Sequence, residues 1–133
     1  MDSSAWIALM WSRDRNHRRV SEHYVRLSEA GDHALTLNLV IAETATRLRY
    51  DAGLRTALAF RDIIAEASSV GRLAIRCTDD ELDGKAWSVL ERYADKTLSF
   101  TDCAGAVVAR EARVDAVFGL DADFSALGFA LEP

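Results

Sequence analysis

Residues 98–124 read LSFTDCAGAVVAREARVDAVFGLDADF and carry the clearest structural pattern in the chain. Apolar residues recur there at spacings of three and four, which predicts one face of an α-helix: Ala104, Val107, Val108 and Ala112. The apolar run of residues 116–120 then predicts a buried strand. One acid stands at the start of the helix and another directly after the strand, so both lie at chain reversals.

The acid at the helix start is Asp102, and the preceding Thr101 is the predicted N-cap because its hydroxyl can accept from an amide two or three residues on. A negative charge in the first turn is stabilised by about 0.3 to 1 kcal/mol, so Asp102 alone indicates only a well-formed helix. Asp121 adds a different signal, because ligand sites of open α/β sheets lie beyond the carboxyl ends of strands. Asp123 follows closely, and the two charges repel each other unless water or a cation separates them.

Short apolar strands and helical segments alternate along the rest of the chain. Strands are predicted at residues 34–37 and 73–75, with a turn and a closing edge strand within 124–131, and helices at 3–11, 13–30, 39–53, 54–68 and 79–96. Ser3 or Ser4 is the expected cap of the first helix, and Asn38 that of the third. The alternation implies parallel pairing with helices on both sides. We therefore predict an α/β fold, a three-layer α/β/α arrangement with a short central parallel sheet, as a single domain over residues 1–133.

Glu43 is predicted to project from the inward face of its helix, because it follows Val40 by three residues and Leu39 by four. An unpaired buried charge is very costly. Arg47 offers an i,i+4 partner, worth only about 0.2 to 0.5 kcal/mol on an exposed helix. The alternative is that Glu43 joins the other acids at a shared cation.

The net charge of −5 argues against a nucleic-acid partner, but the charge is unevenly distributed. Residues 1–61 hold nine basic and seven acidic residues, whereas residues 62–133 hold seven and fourteen. Arginine outnumbers lysine fourteen to two, and its guanidinium suits bidentate phosphate contact. One cluster is either a solvated face or a contact surface for RNA backbone: Arg13, Arg15, Arg18 and Arg19.

Composition also argues against other classes of protein. No apolar run approaches the roughly 20 residues that cross a bilayer, and no secretory signal is recognisable, so we expect a cytoplasmic protein without a membrane partner. Cys77 and Cys103 are too few for a disulfide framework or a zinc site and are expected to be buried. A phosphotransfer domain would need a lysine beyond a strand, and Lys85 and Lys96 do not have that placement.

Together these residues resemble a PIN-domain ribonuclease of the VapC toxin type over essentially the whole length. That family's pattern opens with an aspartate in Asp-Ser/Thr-Ser, continues with a helical glutamate and ends with two aspartates. The matching stretches here are DSS at 2–4, AET at 42–44, FTD at 100–102 and LDADF at 120–124. The family normally has a short apolar strand before the first aspartate, whereas only Met1 precedes Asp2, so either the true start lies upstream or this strand is much shortened.

The resemblance implies a set of site residues. Asp2 and Asp102 would be the core metal ligands, and Glu43 and Asp121 would complete the pocket or position water. Asp123 is a possible additional acid, and the expected supporting residues are Ser4 and Thr101. Independently of the family, crowded carboxylates must raise their pKa values or bind a cation, and hard oxygen ligands without cysteine or histidine favour Mg²⁺ or Mn²⁺ over zinc.

The resemblance also implies a metal-dependent endoribonuclease toxin that cleaves structured RNA, either tRNA or rRNA. Its expected partners are a cognate antitoxin protein, a second copy in a homodimer, and DNA only indirectly through the antitoxin. The alternative is a catalytically silent PIN-like module that binds a protein partner through its apolar helices. Mutually repelling acids argue against that alternative, because a scaffold has no use for them.

Overall fold

The structure is a computed structural model that describes residues 1–133. Helices and short strands alternate as predicted. The helices are α1 (Ser3–Met10), α2 (His17–Ala30), α3 (Asn38–Asp51), α4 (Leu54–Ser69), α5 (Asp80–Arg92), α6 (Phe100–Ala112) and α7 (Asp123–Ala126). The strands are β1 (Ala34–Leu37), β2 (Leu73–Arg76), β3 (Val117–Phe118) and β4 (Leu131–Glu132).

The strands form two parallel pairs, which confirms the predicted pairing direction. Strand β1 pairs with β2, Ala34 facing Leu73, and β3 pairs with β4, Val117 facing Leu131. The predicted closing strand within residues 124–131 was wrong in extent. A helical turn, α7, occupies its first part, and β4 begins only at Leu131 because Gly128, at φ +90°, first reverses the chain.

Residues Met1 and Asp2 join the two pairs into one layer. The Met1 ammonium donates to the Leu35 carbonyl, and the Asp2 N–H donates to the Phe118 carbonyl at 2.9 Å. The Thr36 hydroxyl donates to the Met1 carbonyl at 3.0 Å. This two-residue bridge lies between β1 and β3, so Asp2 sits in the middle of the sheet, as the resemblance implies.

Beside the bridge, a cavity of about 510 Å³ separates β1 from β3. Its lining is largely apolar and includes Tyr24, Leu27, Leu35, Val108, Val117 and Phe118. The backbone of Ala116 on one wall and that of His33 on the other make no backbone hydrogen bonds. Ala116 and His33 directly precede β3 and β1, so at this cavity the backbone just before each strand has no backbone partner.

The main core lies among the helices. Trp6 packs edge-on against Phe60, with ring centroids 5.4 Å apart, and buried residues of α5 and α6 continue the same cluster. Cys103 is buried there as expected, but Cys77 is exposed, so its predicted burial was wrong. No helix combines the length and the apolar character needed to cross a membrane.

Several predicted helix starts were wrong. Asp2, rather than Ser3 or Ser4, caps α1, and Ser99, rather than Thr101, caps α6. Asn38 is the first residue of α3, and its amide oxygen instead accepts from the Thr78 N–H at 3.0 Å. The helix predicted at residues 13–30 begins only at His17, because the four preceding residues form turns. In each case a long-range or neighbouring contact displaced the locally expected cap.

Candidate active site

Four of the predicted acids line one hollow of about 410 Å³ at the surface. They come from four separate parts of the chain: the bridge, α3, α6 and the loop after β3. The acids are Asp2, Glu43, Asp102 and Asp121. None of them has a lysine, arginine or histidine nitrogen within 4.0 Å, so the hollow holds four carboxylates without an ion-pair partner.

Asp2 is the most buried of the four, at 5 % exposure. Its carboxylate accepts from the Ser4 hydroxyl at 2.6 Å and from the Ser4 N–H at 3.1 Å. The same hydroxyl accepts from the Leu120 N–H at 2.9 Å, so Ser4 ties the start of α1 to the end of β3. Gly119 permits this approach, because a Cβ at that position would lie 3.0 Å from the Asp2 Cβ.

Asp102 is fixed by a capping box at the start of α6. Its carboxylate accepts from the Ser99 N–H at 2.8 Å and from the Ser99 hydroxyl at 2.7 Å, and its own N–H donates to that hydroxyl at 3.0 Å. Burial is the main cause that raises the pKa of Asp102, with Asp2 and Asp121 adding to the rise, while the bonds from Ser99 oppose it. The helix start therefore presents the acid in one orientation.

Glu43 lies half-buried in the hollow and does not pair with Arg47, so the first of its two expected environments is not observed. The Arg47 guanidinium instead donates to Asp51 at 3.2 Å. Burial raises the pKa of Glu43, and the charges of Asp2 and Asp102 raise it further. The Ser3 side chain and the charge of Arg47 oppose this rise only in part. The observed environment therefore matches the alternative prediction, in which Glu43 faces the other acids.

Asp121 and Asp123 have different surroundings, although they are two residues apart. Asp121 lines the hollow, and its carboxylate accepts from the Asp123 N–H at 2.9 Å. Asp123 begins α7 and does not line the hollow, so the structure does not bring it to the other acids. The two carboxylates therefore lie in different environments, and only Asp121 faces the other acids.

Four other predicted residues also lie outside the hollow. Thr101 lines the cavity between β1 and β3 and is not part of the acidic hollow. Of the predicted RNA-contact cluster, only Arg15 lines the hollow, because Arg13, Arg18 and Arg19 lie outside it. Thr101 therefore does not contact the acidic hollow, and RNA contacts by those three arginines would have to lie outside it.

The donor set fits a hard divalent cation by its chemistry. The oxygen ligands are carboxylates without an ion-pair partner, and burial, with a further contribution from the neighbouring acids, raises the pKa values of Glu43 and Asp102. No three Asp, Glu, His or Cys side chains converge closely enough to hold one ion directly. Mg²⁺ does not require such a cage, because it commonly keeps several waters and takes only one or two carboxylates.

Sequence reasoning missed two residues that build the hollow. Ser99 stands three residues before Asp102, and the S-x-x-D spacing was a recognisable capping signal. Gly119 interrupts an apolar strand, which often marks a close backbone approach. Both signals are visible in the sequence, but the local sequence does not indicate which acid Gly119 would approach or that Ser99 would orient a site residue.

Comparison with known proteins gives consistent matches. The family model for the PIN domain matches residues 1–130. The 23S rRNA-specific endonuclease VapC20 of Mycobacterium tuberculosis, from strains CDC 1551 / Oshkosh and ATCC 25618 / H37Rv, is 31% identical over 129 residues, covering 97% of this chain and 93% of the relative. A crystal structure of M. tuberculosis VapC20, described as a sarcin-ricin loop cleaving toxin, matches with a TM-score of 0.84 and 28% identity, covering 97% of this chain and 94% of the other.

Proposed function

Because this chain belongs to the PIN-domain nuclease family, we propose that it is a metal-dependent endoribonuclease toxin that cleaves structured rRNA at the acidic hollow. The observation that carries the proposal is that Asp2, Glu43, Asp102 and Asp121 line one hollow without a basic ion-pair partner. The similarity to VapC20, a 23S rRNA-specific endonuclease, favours rRNA over tRNA as the substrate. An rRNA substrate would place the enzyme in the cytoplasm.

In this proposal Asp2 and Asp102 hold the cation, with Mg²⁺ preferred and Mn²⁺ as the substitute. When bound there, a divalent cation would make water easier to deprotonate and would stabilise the negative charge that develops on the phosphodiester. Ser4 and Ser99 keep the two carboxylates in place through their short hydrogen bonds. Glu43, whose pKa is raised, is suited to accept a proton from water, and Asp121 closes the opposite wall.

A cognate antitoxin is the proposed inhibitor, and it would act by covering this hollow. A homodimer is the proposed assembly, and contact with DNA would come only through the antitoxin. The silent-module alternative is disfavoured, because four unpaired carboxylates lower stability and have no purpose in a scaffold.

The test is cleavage of purified 23S rRNA in Mg²⁺ by the wild type, by Asp102→Asn and by the control Asp62→Asn. Asp62 is an exposed acid on α4 that pairs with Arg61, away from the hollow. We expect new RNA ends with the wild type and with the control, and a loss of about 10²-fold or more with Asp102→Asn, because a metal contributes several kcal/mol of charge stabilisation. Equal cleavage by all three proteins, or by none, would contradict the proposal.

A further inference from the structure

The loop between α1 and α2 forms one wall of the acidic hollow and is held by a set of hydrogen bonds. The Asp14 N–H donates to the Trp11 carbonyl at 2.9 Å, and the His17 N–H donates to the Asp14 carbonyl at 3.0 Å. The Asn16 N–H donates to the Asp14 carboxylate at 2.7 Å, and His17 Nδ1 bonds with the Ala8 carbonyl at 2.7 Å. The backbone that carries residue 15 is therefore anchored at both of its ends.

Arg15 stands on this loop, lines the hollow and is exposed. No carboxylate lies within 4.0 Å of its guanidinium. Arg47 is the other basic residue of the lining, but its guanidinium is bonded to Asp51. Arg15 is thus the one guanidinium at the hollow whose donors are all free of carboxylate partners.

The charge balance of the hollow indicates a role for Arg15. Five acids line the hollow, namely Asp2, Asp14, Glu43, Asp102 and Asp121, against two arginines. A phosphodiester that approaches such a surface is repelled unless positive charge lies on its path. A guanidinium is well suited to this task, because its planar donors match two phosphate oxygens at once.

We propose that Arg15 is a substrate-binding residue that holds a non-bridging phosphate oxygen of the RNA backbone at the mouth of the acidic hollow. The proposal rests on the proposed ribonuclease function and assigns a residue to its substrate contact. The proposal applies to Arg15 and not to the nearby Arg18. Arg18 is 91 % exposed and pairs with Glu22 at 3.3 Å, outside the hollow. Arg15 supplies affinity and register for any RNA sequence, because phosphate contacts carry no base information.

The experiment compares Arg15→Ala, Arg15→Lys and the matched control Arg19→Ala, which removes the same charge from an exposed residue outside the hollow. Cleavage of 23S rRNA is measured at several salt concentrations. We expect kcat/KM to fall by about 10- to 100-fold in Arg15→Ala, as for loss of a charge-assisted hydrogen bond. In a plot of log kcat/KM against the logarithm of the salt concentration, the slope for Arg15→Ala should be smaller in magnitude than that for the wild type by about one. Arg15→Lys, which keeps the positive charge, should have the wild-type salt slope but only part of the wild-type kcat/KM.

A second measurement removes catalysis from the comparison. RNA affinity is measured in the Asp102→Asn background with and without Arg15→Ala, and thermal unfolding confirms that each variant is folded. If the wild type cleaves while Arg15→Ala and Arg19→Ala have the same rates and salt slopes, the inference is overturned and the proposed function stands. If the wild type does not cleave, the proposed function fails and the inference fails with it.

Discussion

At the scale of single residues, Glu43 links the acidic hollow to stability. Its pKa is raised from the ordinary value of 4.5, mainly by burial, so the folded protein holds this proton more tightly than the unfolded chain does. The stabilisation that protonated Glu43 gives to the fold is therefore fully present below about pH 4.5. It is lost as pH rises through the higher pKa of Glu43 in the folded state. At neutral pH, without a divalent cation, ionised Glu43 destabilises the fold.

We therefore expect Glu43→Gln to be more stable than the wild type at pH 7 in EDTA, by a few tenths to about 1 kcal/mol, since water screens a half-exposed group. The gain should vanish near pH 4, where both side chains are neutral. Urea unfolding from pH 4 to 8 measures this difference, with the exposed Glu66→Gln on α4 as the control. A destabilised Glu43→Gln at pH 7 would contradict the prediction.

The positions of single residues also show how much of the candidate site could be predicted from the sequence. The four acids Asp2, Glu43, Asp102 and Asp121 were identified in advance because their order and neighbouring residues are distinctive, and they do line one hollow. Asp123 and Thr101 were predicted from the same neighbourhoods but face elsewhere. Spacing along the chain does not determine the direction of a side chain in a loop or first turn, because tertiary contacts choose among the local options.

At the scale of elements, the start of α6 serves both the helix and the site. Replacing Ser99 by alanine removes the N-cap and should cost about 1 kcal/mol of stability. It should also raise the pKa of Asp102 further, because the bond that the Ser99 hydroxyl donates to the carboxylate lowers this pKa and would be lost. We expect the acidic limb of the pH–rate profile to move to higher pH in Ser99→Ala.

Two matched variants make this prediction specific. Ser99→Thr keeps a capping hydroxyl and should retain both the stability and the pH profile. Ser88→Ala removes a hydroxyl that only bonds back to the Gly84 carbonyl within α5, so neither property should change. An unchanged pH profile in Ser99→Ala, despite lost stability, would show that the cap does not influence the acid.

The sequence predicted which segments form helices and strands, but not the residues at which each element begins and ends. The strands at Ala34–Leu37 and Leu73–Arg76 were recognised because apolar runs stand between turn residues. The helix start at His17 was missed because Asp14 accepts from Asn16 and organises a turn that competes with helix. Strand β4 was too short to show any alternation.

At the scale of the whole molecule, the sheet depends on a bridge of two residues. Burial lowers the pKa of the Met1 amino group from 8.0 to about 6, although the charge of Asp2 opposes this. The folded protein thus favours the neutral amine, so stability should rise as pH increases from about 6 to 8. No local sequence pattern could predict this, since it depends on where the sheet places its strands.

Acetylation of the amino group tests this prediction. The acetylated chain should be more stable than the free one at pH 6, by about 1 to 3 kcal/mol, and the difference should shrink toward pH 8.5. Thermal melts across this range measure it, and histidine titration cancels in the comparison because both proteins share His17, His23 and His33. A constant difference at all pH values would mean that the amine is not the titrating group.

The cavity between β1 and β3 has a practical consequence for handling the protein. A purification tag fused ahead of Met1 would start at this cavity, which Met1 and Asp2 both line. Charged residues at the start of such a tag would be costly to bury there and would disturb the position of Asp2. Preparations intended for kinetics should carry their tag at the carboxyl end.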